Sequence, residues 1–101
     1  MTFILDLIAP PIPTGARPEV EKLLAELLRI GQTEDFLSER PGLSYNRDCR
    51  HVRTRQIGAR LYELGGLNLM AYVHRQVKRK LGKILGEHLE AAWDKVGPWH
   101  Y

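Results

Sequence analysis

One cysteine and four histidines are the side chains in this sequence with the most obvious chemical potential. Cys49 lies between Arg47 and the pair Arg50 and His51, and nearby positive charge favours the thiolate, which is the nucleophilic form. A small enzyme that uses Cys49 or a histidine is therefore one hypothesis, although no oxyanion-hole motif accompanies the cysteine. The competing interpretation is a cysteine at a helix start that packs or faces water.

The spacing of the histidines does not predict a metal site. No two of them are three or four residues apart, which is the spacing that brings two ligands together on one helix. A site assembled from different helices stays open as an alternative, but we expect no metal and no other cofactor. The histidines are His51, His74, His88 and His100.

Carboxylates in the second half of the chain are candidates for acid–base work, but their spacing is also typical of a solvated helix face. Lys83 and Lys95 are available as partners for them. There is no glycine-rich motif that would cradle a nucleotide. The carboxylates are Glu63, Glu87, Glu90 and Asp94.

Basic side chains recur at helical spacing in two regions and form the best candidate surface for a partner. Such stripes can neutralise phosphates without reading bases, so nucleic acid is a possible partner. A standard helix-turn-helix is not predicted, because Leu61 and Tyr62 are too large for the small-residue position before the turn glycine. The candidate surface residues are Arg50, Arg53, Arg75, Lys78 and Arg79.

Charge is distributed unevenly along the chain. Residues 19–39 contain six acids and two bases, whereas residues 47–60 contain five arginines and one acid, and residues 75–83 contain five bases and no acid. The acidic and basic regions can pair within the fold, pair across a dimer, or simply face water. The sequence does not decide among these alternatives.

Two apolar helical patterns meet at Gly65 and Gly66. Adjacent glycines are unfavourable inside a helix and favourable at a helix end, so we predict a tight corner between a helix over 48–64 and a helix over 67–81. One long kinked helix is the alternative. The apolar residues are Ile57, Leu61 and Leu64 before the glycines and Leu67, Met70, Val73 and Val77 after them.

Two further helices are predicted on either side of this corner. The first covers 18–30, opens at Pro18 and stops at Gly31, and residues 32–47 after it are irregular, with Phe36 and Leu37 pinned to the core. The last covers 83–96, with a break bracketed by Gly82 and Gly86. Trp99 then folds back under the bundle. The inward face of this last helix consists of Leu85, Leu89, Ala92, Trp93 and Val96.

Two motifs in the second half of the chain carry a resemblance. They are IG-x-x-LY-x-x-GG-x-x-LM-x-x-V in Ile57–Val73 and LE-x-AWD-x-x-G-x-W in Leu89–Trp99. Over residues 50–99 the chain resembles a group of small, uncharacterised bacterial helical proteins with such a corner and such an ending. The resemblance implies a helical fold and assigns no catalytic residue.

The prediction is a single all-α domain over 1–101, a compact bundle of about four helices with an extended, proline-containing N-terminal strap over 1–17. Its 101 residues and 44% hydrophobic content suit one modest core. The lone cysteine favours a reducing compartment, the cytoplasm, and no run suits a membrane span or a secretory signal. We expect a non-enzymatic interaction or regulatory protein that acts through protein–protein contacts, as a homodimer or with another protein.

Overall fold

The computed structural model describes residues 12–38 and 49–101, which form three helices. Helix α1 is Arg17–Thr33, helix α2 is Arg50–Leu81, and helix α3 is Lys83–Ala92. The described residues are mostly helical and compact, without a β-strand, so the all-α prediction is confirmed in this form. The prediction of about four helices is wrong, because the two helices expected over 48–64 and 67–81 are one kinked element.

The kink in α2 lies at the diglycine Gly65 and Gly66, where the sequence predicts a corner between two helices. Only Gly66 leaves the helical conformation, with φ 73° and ψ −165°. This backbone region is accessible essentially to glycine alone. Gly65 contributes differently, because a Cβ on it would lie 2.7 Å from the Cβ of Leu69. The diglycine therefore combines one special backbone conformation with one close approach by a buried leucine.

Helix α1 continues past the glycine that was expected to stop it. Gly31 is helical and buried, and a Cβ on it would lie 2.5 Å from Leu81 Cδ1 and 2.9 Å from Phe36 Cζ. A side chain at this position would collide with the end of α2. The predicted stop at Gly31 is thus wrong, because close packing accounts for this glycine. Phe36 is fully buried as predicted, whereas Leu37 is 39% exposed, so the prediction that it packs in the core is wrong.

Helix α3 begins directly after Gly82, whose φ of 101° breaks the chain between two helices. Gly86 does not bracket this break as predicted. It lies inside α3, where the aliphatic stem of Lys78 packs against it. The helix ends at Ala92, earlier than predicted, because residues 93–98 form turns.

Arg55, on α2, caps the C-terminal end of α3 with hydrogen bonds. The last carbonyls of a helix have no partner within the helix. Arg55 Nη1 donates to the carbonyl oxygens of Ala92, at 2.8 Å, and Asp94, at 2.7 Å. A cation at a helix C-terminus also suits the helix dipole. α2 thereby holds the far end of α3.

The two tryptophans close the base of the core as predicted. The fully buried indole of Trp93 lies over Gly58 and donates from Nε1 to the Thr54 carbonyl at 2.9 Å. Trp99 packs edge-on against Trp93, with ring centroids 5.2 Å apart, and also contacts His74. The predicted inward face of the last helix is confirmed, with Leu85 only partly buried.

Several predicted features lie outside the described residues. These are most of the strap over 1–17, residues 39–47 of the irregular segment, and residue 48, the predicted start of the second helix. Cys49 instead caps α2, since its Sγ accepts from the Val52 N–H at 3.4 Å.

We expect Gly66→Ala to lower the free energy of unfolding by about 1–3 kcal/mol. No atom lies within 4 Å of a Cβ added at this glycine, so the loss would come from backbone strain alone. Urea denaturation monitored by circular dichroism measures it. An unchanged midpoint would contradict the special backbone conformation.

We expect Gly58→Ala to destabilise the protein by up to about 2 kcal/mol. A Cβ there would lie 2.6 Å from Trp93 Nε1, and overpacking of about 1–3 kcal/mol outweighs about 1 kcal/mol of gained helix propensity. Ala59→Gly, at the exposed neighbour in α2, calibrates the propensity term. A gain in stability for Gly58→Ala would refute tight seating of the indole.

Candidate functional site

Three ion pairs connect α1 and its following turn to the first half of α2. Glu19 pairs with Arg60 at 2.6 Å, Glu26 with Arg53 at 2.7 Å, and Glu34 with Arg50 at 3.4 Å. As positions rise along α1 they fall along α2, so the two helices run antiparallel. We call these three pairs the ion-pair ladder. The alternative of pairing within the fold is therefore realised for this part of the charge.

The central pair of the ion-pair ladder is bidentate, as is the pair of Arg60 with Glu19, and it is the less exposed of these two pairs. Arg53 donates from Nε to Glu26 Oε2 at 2.7 Å and from Nη2 to Oε1 at 2.8 Å. Bidentate pairing of this kind is stronger than a single charged hydrogen bond. The hydrogen bonds and charge of Arg53 hold the pKa of the Glu26 carboxyl below its ordinary value.

The five predicted surface residues separate into two groups. Arg50 and Arg53 belong to the ion-pair ladder, whereas Arg75, Lys78 and Arg79 are exposed in the second half of α2. Within residues 12–38 and 49–101, none of these three forms an ion pair. Lys80 and Lys83 share this exposure and this lack of an acidic partner in the same ranges. We call the set Arg75, Lys78, Arg79, Lys80 and Lys83 the basic corner.

The basic corner is held in place by contacts between α2 and α3. Lys78 lays its aliphatic stem against Gly86. One turn earlier, His74 Nε2 lies 2.9 Å from the Gly86 carbonyl oxygen, which requires a proton on Nε2. Gly82 is the only residue between the two helices. The cations therefore project from two helices whose relative position is fixed.

Ile84 adds an apolar side chain to the basic corner. It is 69% exposed, whereas Leu81 and Leu85 on either side of it are partly buried against the core. The sequence did not single out Ile84. Its position one residue off the inward stripe of α3, next to Lys83, is the signal that could have found it.

Cys49 and His51 both lie at the start of α2, and the other histidines lie elsewhere in the described structure. Cys49 caps α2, His74 packs on Trp99, and His88 pairs with Asp35. Among the described residues, no group of three His, Cys, Asp or Glu side chains could hold a metal. A cleft of about 620 Å³ beside the ion-pair ladder has neither Cys49 nor a histidine among its described lining residues. The enzyme hypothesis stays a prediction.

Sequence reasoning missed the pairing of Asp35 with His88. Nδ1 of His88 lies 2.8 and 3.0 Å from the two carboxylate oxygens of Asp35. A carboxylate on one ring nitrogen orients an imidazole, as in general-base sites. The pair also connects α3 to the turn after α1, where Asp35 accepts from the Leu37 N–H.

We expect Glu26→Gln to destabilise the protein by about 0.5–1 kcal/mol at pH 7 and by much less at pH 3. Because the Glu26 pKa is lowered by folding, its ionised form stabilises the fold above the unfolded-state pKa, and this contribution is lost as the pH falls through the folded-state pKa. Urea denaturation at both pH values measures it.

Glu21→Gln is the matched control for Glu26→Gln. Glu21 lies on the same helix with its side chain 63% exposed, and it pairs only with Arg17 in the described ranges, at 3.5 Å. We expect little change at either pH. Equal losses for both variants would contradict a special role for the Glu26–Arg53 pair.

Comparison with known proteins assigns no family to this chain. No protein-family model matches the chain, and no curated protein and no solved structure matches it either. In the described part of the chain, no helix has both the length and the apolar character needed to cross a membrane. The function is therefore inferred from the geometry of the described residues.

Proposed function

We propose that the protein is an interaction or regulatory protein that binds an acidic partner protein through the basic corner. The single observation that carries this proposal is the division of the cations. The ion-pair ladder pairs Arg50, Arg53 and Arg60 with carboxylates, whereas the basic corner has no acidic partner in the described ranges. An unneutralised patch steers a partner of opposite charge and increases its association rate.

The helix dipole explains part of the basic corner but not all of it. Lys78, Arg79 and Lys80 occupy the last turn of α2, where cations are favoured by roughly 0.3–1 kcal/mol each. Lys83 lies in the first turn of α3, where a cation is disfavoured and where there is no acid. Arg75 lies before the last turn of α2. These two cations support a binding role beyond helix stabilisation.

Nucleic acid binding is the second candidate. Arg75, Lys78 and Arg79 are spaced by three and four residues, so they share one side of α2. Such a stripe follows a phosphate backbone without reading bases. Arg50 and Arg53, which the sequence analysis grouped with them, are occupied by Glu34 and Glu26.

Three further expectations from the sequence concern the location of the protein, its oligomeric state and its relatives. A cytoplasmic location is supported by the lone cysteine. A homodimer, which light scattering tests, loses some of its support because the acids of the ion-pair ladder are paired within the chain. The resemblance to small bacterial helical proteins stays a prediction and adds a fold class only.

The test compares two double variants with the same change in charge. Arg75→Gln with Arg79→Gln removes two cations of the basic corner, and Lys22→Gln with Arg29→Gln removes two exposed cations of α1. We expect the corner variant to recover at least several-fold less partner protein after cross-linking in cells of the native host, because its association is slower. The control should behave as wild type.

Gel-shift assays with generic DNA and RNA separate the two candidates. Under the main proposal neither nucleic acid shifts at low salt. A salt-sensitive shift that is lost in the corner variant and kept in the control would instead support the second candidate. Equal partner recovery by both double variants would refute a role for the basic corner.

A further inference from the structure

Ile84 is the feature of the basic corner that electrostatics does not explain. Burying an isoleucine is favourable, yet Ile84 is 69% exposed, whereas Leu89 of the same helix is buried and Leu85 is partly buried against the core. Single exposed apolar residues are common on protein surfaces. What distinguishes Ile84 is its setting, directly after Lys83 and two residues before Gly86, where Lys78 packs.

The basic corner and Ile84 together provide two components of a small protein interface, which are exposed cations and one exposed apolar side chain. Such interfaces place an apolar anchor at the centre and polar or charged side chains around it. The basic corner provides cations from the end of α2 and the start of α3, and Ile84 lies in the first turn of α3. The contacts of Lys78 and His74 with Gly86 fix the relative position of the two helices before any partner binds. This reduces the entropy that is lost on binding.

We propose that the basic corner binds an acidic peptide segment in which carboxylates flank an apolar side chain that packs on Ile84. This inference rests on the proposed function and specifies the partner. Charge complementarity favours the acidic residues, and Ile84 favours the apolar one. A nucleic acid backbone presents phosphates and sugars and has no counterpart for an exposed isoleucine.

The experiment measures fluorescence anisotropy with defined probes. One probe is a fluorescein-labelled, glutamate-rich peptide with central leucines, and the matched probe carries serines in place of the leucines. Duplex DNA and vesicles containing anionic phospholipid serve as competitors. The proteins are the full chain, Ile84→Ser and Ile84→Leu, with thermal melting as the check on folding.

We expect the full chain to prefer the leucine peptide by about tenfold, which corresponds to burial of one aliphatic side chain. Ile84→Ser should lose this preference and Ile84→Leu should keep it. Because the side chain of Ile84 is mostly exposed, both variants should melt like the wild type. A preference that survives in Ile84→Ser would overturn the inference.

The remaining outcomes separate this inference from the proposed function. Equal binding of the two peptides would overturn the role of Ile84 and leave an acidic protein partner in place. Tighter binding of DNA or of anionic vesicles than of either peptide would overturn both proposals. Absence of binding to every probe would overturn the peptide inference, while cross-linking in cells tests the broader function independently.

Discussion

The contact of Trp93 with the first half of α2 is the constraint on which the rest of the described structure depends. Its indole needs two things from α2, a carbonyl acceptor at Thr54 and a residue without a side chain at Gly58. Both lie on one helical turn, since they are four residues apart. Once the indole is seated, Trp99 packs against its edge and the end of α3 is fixed.

Fixing both ends of α3 determines where the exposed charge is displayed. Trp93 and Arg55 hold the end of the helix, and the crossing at Gly86 holds its beginning. The ion-pair ladder likewise fixes α1 against α2. Its arginines are already paired with carboxylates, so they are less available to bind a partner. The two halves of α2 thus use positive charge differently, internally before the kink and externally after it.

Local patterns in the sequence predicted the elements better than they predicted the role of individual glycines. The apolar stripe of α1 and the buried tryptophans follow from periodicity, and they are confirmed. The diglycine produces a kink at Gly66 within one element instead of the predicted corner between two helices. The predicted helix stop at Gly31 and the predicted break at Gly86 are wrong, because both glycines lie inside helices. Each lacks a side chain because another segment approaches it closely, and that approach is a tertiary fact that no local pattern contains.

The candidate surface was predictable in part for the same reason. Composition identified acidic and basic regions, but the antiparallel register of α1 and α2 decides that Glu26 meets Arg53 and Glu19 meets Arg60. Helical spacing alone treats Arg53 and Lys78 as equivalent. Only the packing of the helices separates a neutralised arginine from an exposed lysine.

The conformation of Gly66 has a stereochemical consequence. Inverting φ 73° and ψ −165° gives values close to polyproline II, a favourable region for L-residues. The mirror-image residue, D-alanine, would therefore occupy this position in a relaxed conformation, and the space around it is open. Chemical synthesis could thus rigidify the kink by reducing the freedom of the unfolded chain, which no ribosomally encoded side chain can do at this position.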